Sequence, residues 1–209
     1  PARLLQRGDA GFTKPPPPYL FALTQLGTED TVTATGGLVI KPGSMYAQEL
    51  AGGTQYDVML VPAGMGSSPG KTPEDLIKSQ APRARTYLLS VCSGSCILQQ
   101  AGLLTGKRAT TNKPLSNIIT AASKDEVQWV RKARWVEDCD GWTASGVAAG
   151  MDMTIASITH LAGPSVTAYV TSGAEYSACD NDNEPFAEIW SDGAQKQIAE
   201  SFAAALGAS

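Results

Sequence analysis

The run Tyr87-Leu88-Leu89-Ser90-Val91 passes without a linker into Cys92-Ser93-Gly94-Ser95 and on to Cys96-Ile97-Leu98-Gln99-Gln100. A short apolar run of this length reads as a buried strand, and the small residues after it suit a tight entry into a helix better than further strand. A strand-to-helix turn that sharp lifts the side chain at its apex, Cys92, off the sheet edge and aims the first free amides of the helix toward it. Helix N-terminal dipoles and N–H groups stabilise negative charge, so the sequence predicts Cys92 as a thiolate nucleophile. The Ser93 amide is placed to contribute to an oxyanion hole. A purely structural cysteine would behave as a small buried hydrophobe, a reading that leaves Ser93, Gly94 and Ser95 without a purpose.

The rest of the chain alternates in the same way. Tyr56-Asp57-Val58-Met59-Leu60-Val61-Pro62 is a nearly continuous apolar run ending at Ala63-Gly64-Met65-Gly66, as expected of a parallel strand covered on both faces. Thr72-Pro73-Glu74-Asp75 has the cap, proline and acids of a helix start, and that helix should end near Pro82. Further strands are expected at Tyr19 to Leu26, at Val32 to Lys41 with a break at Gly36-Gly37, and at Arg108 to Thr111. Arg134 to Glu137 and Trp142 to Ser145 flank a turn at Asp138-Cys139-Asp140-Gly141. Helices are expected from Ser93 to about Leu104, from Ala149 to Leu161, from Ser165 to Tyr176 and from Ala194 to Leu206. Residues 1–18 form a proline-rich leading segment ending in Lys14-Pro15-Pro16-Pro17-Pro18, and Asp180 to Pro185 reads as a loop.

These elements imply a single three-layer α/β domain over residues 1–209, flavodoxin-like, with a mostly parallel sheet and a cysteine elbow. Ligands in such sheets bind beyond the carboxyl ends of the strands. Backbone N–H groups of Gly64 and Met65 would therefore form the wall facing Cys92 and Ser93.

Composition narrows the function. A formal charge of -4, with basic clusters only at Lys107-Arg108 and Arg131-Lys132-Ala133-Arg134 that read as solvated surface charge, argues against a nucleic-acid partner. No stretch reaches the roughly 18 apolar residues of a membrane span, so no membrane partner is expected. The four cysteines lack disulfide-framework or zinc spacing. Cys139 and Cys179 would bridge only in a secreted protein, and the neutral expectation is reduced thiols in a cytoplasmic enzyme. Cys96 reads as a small core residue. With no phosphate-binding glycine pattern and no metal cluster, neither cofactor nor metal is expected. The sole histidine, His160, sits near the end of an apolar helix, where packing or capping is its expected role. Cys92 thus lacks the histidine of a Cys–His pair. The tryptophans Trp129, Trp135, Trp142 and Trp190 are expected to pack in the core or an interface.

At this level the sequence resembles the ThiJ/PfpI superfamily, over about residues 19–190. The resemblance rests on Tyr56 to Gly64, on Ser90 to Ser95, on Ala101 to Thr111 and on Ser145-Gly146-Val147-Ala148-Ala149-Gly150-Met151-Asp152-Met153. Glu175-Tyr176 and Glu184-Pro185-Phe186-Ala187 point to the branch containing isocyanide hydratase and its fungal relatives. The resemblance implies Cys92 as the nucleophile, Gly64 and Met65 on the anion-binding side of the pocket, a small-molecule substrate and a homodimer. Where many relatives have histidine after Ala-Thr-Thr, this chain has Asn112. That disfavours peptidase or amidotransferase chemistry and leaves Asn112 either to orient substrate or to cap its own turn. That branch also uses an acid from the loop after its first strand, and the chain begins beyond the place expected for that strand. Asp9 lies in the right region in unmatched surroundings, so no residue is assigned the role. Asp152 is expected as a helix-entry acid behind the site. The implied reaction is hydration of an isocyanide to an N-substituted formamide. Glyoxalase-like action on small α-oxoaldehydes, or a non-enzymatic, redox-sensing role for the same fold, stay open beside it.

Overall fold

The computed structural model describes residues 23–33, 37–64, 74–81, 86–123, 126–182, 184–190 and 192–207. In chain order its elements are β1 (Leu26–Gly27), β2 (Val32–Thr33), β3 (Val39–Ile40), β4 (Ser44–Met45), α1 (Tyr46–Gly52), β5 (Val58–Val61), α2 (Glu74–Gln80), β6 (Tyr87–Val91) and α3 (Gly94–Gln100). These are followed by β7 (Arg108–Ala109), α4 (Ser116–Ala121), β8 (Gln128–Trp129), β9 (Trp135–Asp138), β10 (Gly141–Ala144), α5 (Val147–Ala162), α6 (Pro164–Gly173) and α7 (Asp192–Gly207).

The central sheet has the order β5-β6-β10-β9. β5 and β10 run parallel to β6 on either side of it, and β9 returns antiparallel to β10. One face carries Met59, Val61 and Leu88 beneath Leu76 and Ile77 of α2 and Ile97 and Leu98 of α3. The other carries Leu89, Trp142 and Ala144 beneath Ala149 and Met153 of α5. Helices on both faces of a mostly parallel sheet make the three-layer α/β arrangement that the alternation implied. Trp142, Leu98 and Met153 are fully buried, and truncating such a side chain costs about 2–5 kcal/mol.

Two glycines permit close approaches that determine the site. A Cβ on Gly94 would lie 2.3 Å from the Val61 carbonyl oxygen, so the start of α3 rests directly on the end of β5. A Cβ on Gly150 would lie 2.8 Å from both methyl carbons of Val91, which lets α5 sit against the last residue of β6.

Several expectations need correction. β5 is an outer strand of this sheet, and Val58 and Leu60 are 39% and 52% exposed, so it is not buried on both faces. Arg134 is buried, not surface charge. Asp152 lies beyond the first turn of α5, whose start at Gly146 has no side-chain cap. The Cys92 helix ends at Gln100 and gives way to turns containing Gly102 and Gly106 at positive φ. The expected helix start at Thr72-Pro73, residues 19–22 of the first strand, Pro82, Met65 and the leading segment lie outside the described residues. The short α1, α4 and β8 were not anticipated.

Candidate active site at the Cys92 elbow

Cys92 follows the last residue of β6 with φ 59°, in the left-handed region that L-residues rarely occupy. Its N–H donates to the Ala144 carbonyl at 3.0 Å, continuing the β6–β10 ladder one step beyond the strand. Its carbonyl accepts from the hydroxyls of Ser95 at 3.1 Å and Thr111 at 3.4 Å, and Ser95 also donates to Thr111 at 2.7 Å. Strained backbone persists only where the surroundings over-determine it, and here both peptide groups flanking the strained Cα are pinned.

Two donors converge on the sulfur. The Asn112 side-chain amide lies 2.9 Å from Sγ, and the Ser93 backbone N–H is directed at it as well. Asn112 is held in turn by its own oxygen, which accepts from the Leu115 N–H at 3.1 Å. It therefore both caps its turn and faces the sulfur. These donors lower the Cys92 pKa, but burial raises it more, so the thiol stands above its ordinary value. Against the expectation of a thiolate, burial weighs more at Sγ than the seven-residue helix start and the two donors.

Gly94 resting on Val61 and Pro62 brings the end of β5, with Gly64 three residues on, alongside the elbow. Cys96, one turn along α3, is half-buried, and its sulfur accepts from the Gln100 amide at 3.2 Å. His160 is elsewhere. It accompanies Tyr87 at the opposite end of β6, with Tyr87 Oη 3.2 Å from Nε2 and Glu137 Oε1 3.2 Å from Nδ1. Its ring also packs edge-on against Trp142. A histidine in that place serves the packing of α5 on the sheet.

Asp152 is fully enclosed. It accepts from Arg134 Nε at 2.5 Å, Tyr176 Oη at 2.7 Å and the Cys179 N–H at 3.0 Å. Arg134 accepts at its carbonyl from the Ser145 N–H, and Ser145 neighbours Cys92 across the ladder. Asp152 thus connects to the site through Arg134 and Ser145. Glu184 and Lys113 were not foreseen as part of this neighbourhood. Ser145 Oγ donates to Glu184 at 2.6 Å, and the buried Lys113 donates to Thr110 Oγ1 at 2.9 Å and the Ala133 carbonyl at 3.0 Å. Only the Glu184-Pro185-Phe186 motif hinted at the first, and a lysine after a short strand carries no signal of burial.

A cavity of ≈430 Å³ lies away from the elbow against Arg108, Trp135 and Glu137; the half-buried sulfur with its convergent donors is the better candidate for chemistry. No group of three or more His, Cys, Asp or Glu side chains among the described residues is arranged to hold a metal ion. No helix among them is long and apolar enough to cross a membrane.

Comparison with known proteins bears on the family and the fold. A Pseudomonas putida protein named isonitrile hydratase is 36% identical over 148 residues, 69% of this chain and 61% of that protein. The chain therefore spans less than two thirds of that relative's length. A ThiJ/PfpI family protein from Pseudomonas syringae superposes with TM-score 0.63 at 25% identity, covering 85% of this chain and 72% of that one. Drosophila melanogaster DJ-1beta shares the fold, with TM-score 0.59 at 21% identity over 71% of this chain and 78% of its own. The DJ-1/PfpI family pattern matches residues 21–160, and the chain belongs to that family.

Proposed function

We propose that the protein hydrates isocyanides to N-substituted formamides through a covalent intermediate on Cys92. The observation that carries the reading is a strained elbow cysteine whose sulfur faces the Asn112 amide where a histidine would otherwise stand. The similarity to isonitrile hydratase supports the choice of substrate.

The chemistry follows from a sulfur that rests as a thiol. The S–H adds across the terminal carbon of R–N≡C: sulfur bonds to that carbon, the thiol proton ends on it, and an S-linked thioimidate R–N=CH–S results. Water then adds to the C=N bond, its proton going to nitrogen. Collapse of the tetrahedral adduct expels the thiol and releases R–NH–CHO. The thiol supplies both nucleophile and first proton, so the first step needs no histidine. The Asn112 and Ser93 N–H groups stabilise negative charge on sulfur as the S–H bond breaks and again as sulfur leaves. Redox sensing is less favoured, because sensor cysteines are low-pKa, accessible thiols, whereas Cys92 is half-buried with its pKa raised.

The test is turnover of an aliphatic isocyanide, with formamide product followed by mass spectrometry. C92S should abolish turnover while the fold is retained. Undiminished isocyanide consumption by that variant would refute the assignment, as would conversion of methylglyoxal by the wild type in the absence of any formamide.

A further inference from the structure

The Thr110–Lys113 turn that presents Asn112 to Cys92 also borders a second cavity, of ≈190 Å³. That is below the roughly 300 Å³ at which pockets for drug-sized ligands begin. Two cations line it, Lys113 and Arg131, together with Asn117 and Thr120, while Trp129 and Val130 form an apolar wall. Lys113 is only 5% exposed. Its hydrogen-bond acceptors among the described residues, Thr110 Oγ1 and the Ala133 carbonyl, are neutral. Burying a cation against neutral groups is unfavourable unless an anion compensates it. Arg131 is held beside the cavity by the Ala187 and Trp190 carbonyls. Burial and the repulsion of Arg131 lower Lys113 to about 8, against the opposing pull of Glu184. Asp192 is occupied by the Asn117 amide at 2.7 Å. Among the described residues, two like charges thus border one small space whose remaining lining is hydroxyl, amide and hydrocarbon.

We propose that this cavity binds a small aliphatic carboxylate, its charged end between Lys113 and Arg131 and its hydrocarbon against Trp129 and Val130. The apolar wall favours an organic acid over inorganic phosphate, and the volume favours a short chain. Binding adds an anion beside the buried ammonium, beyond the pull of Glu184, and so stabilises its protonated form. Affinity must then fall as pH rises through the Lys113 titration.

Calorimetric titration of the full chain with butyrate, acetate, butyramide and inorganic phosphate at constant ionic strength tests this. Butyrate should bind saturably, acetate more weakly and butyramide not at all. The K113M variant should lose butyrate binding and R131Q should weaken it about tenfold, while C92S binds as the wild type does, which separates this site from the Cys92 chemistry. Between pH 7 and 9.5 wild-type affinity should drop more than tenfold, and the K113R variant, always charged, should show a flat profile. K113R also serves if K113M fails to fold. Absence of saturable carboxylate binding, binding undiminished in K113M, a flat wild-type pH profile, or phosphate binding more tightly than butyrate would overturn the proposal.

Discussion

At Cys92, removal of water and donation of hydrogen bonds pull the thiol in opposite directions, and burial prevails. A thiol whose pKa is raised forms its thiolate only at higher pH, so alkylation by iodoacetamide should keep accelerating above the range in which an ordinary cysteine saturates. The variant N112A removes the donor at 2.9 Å and should move that curve to still higher pH. Its isocyanide turnover should fall about 100- to 1000-fold, the range for losing one donor to developing charge. Part of any stability loss, about 0.5–2 kcal/mol, belongs to the Leu115 cap and not to the sulfur. The elbow and Asn112 were legible in the sequence because their meaning is local: a strand followed at once by small residues, and an amide in a turn. The protonation state was not, since a helix start is visible in a sequence but the depth at which it lies is not. Lys113 was illegible for the same reason.

At the scale of elements, β6, the β9–β10 hairpin and α5 could be read from their apolar patterns and from Asp138-Cys139-Asp140-Gly141. The seven-residue α1 buries none of its residues, so it has no apolar stripe from which to be recognised. The contact between α3 and β5 was equally invisible, because it depends on an atom that Gly94 lacks. The variant G94A should be destabilised by about 1–3 kcal/mol in urea unfolding, the usual result of forcing an extra carbon into a packed place. Here the obstacle is the Val61 carbonyl at 2.3 Å, backbone that cannot swing aside, so the upper end of the range is expected. Since that contact aligns the two strand ends, isocyanide turnover should fall more than stability alone accounts for.

Across the whole molecule, the segment after α6 is tied to the sheet by Asp152, which gathers Arg134, Tyr176 and the Cys179 amide. Breaking one side of such a buried pair costs about 3–5 kcal/mol, because the partner charge is stranded. D152N should show a loss of that size in urea unfolding, and the double variant D152L/R134M should recover much of it. Lys113 adds a pH dependence with the opposite sense to a surface ion pair. Its folded-state pKa, about 8, lies below the ordinary lysine value of 10.5. The unfolded chain therefore holds more protons between those values, and stability gains as pH rises through that window. The stability difference between K113M and the wild type should accordingly shift in favour of the wild type from pH 7.5 to 10.

The left-handed backbone at position 92 sets reactivity against durability. Glycine alone occupies that region freely, and any other L-residue there gives up roughly 1–2 kcal/mol. C92G should therefore melt above C92A, although both lack the sulfur. A lineage released from the need for the thiol would be expected to drift toward glycine at this position, so the residue found there in a descendant would itself report whether the chemistry was still under selection.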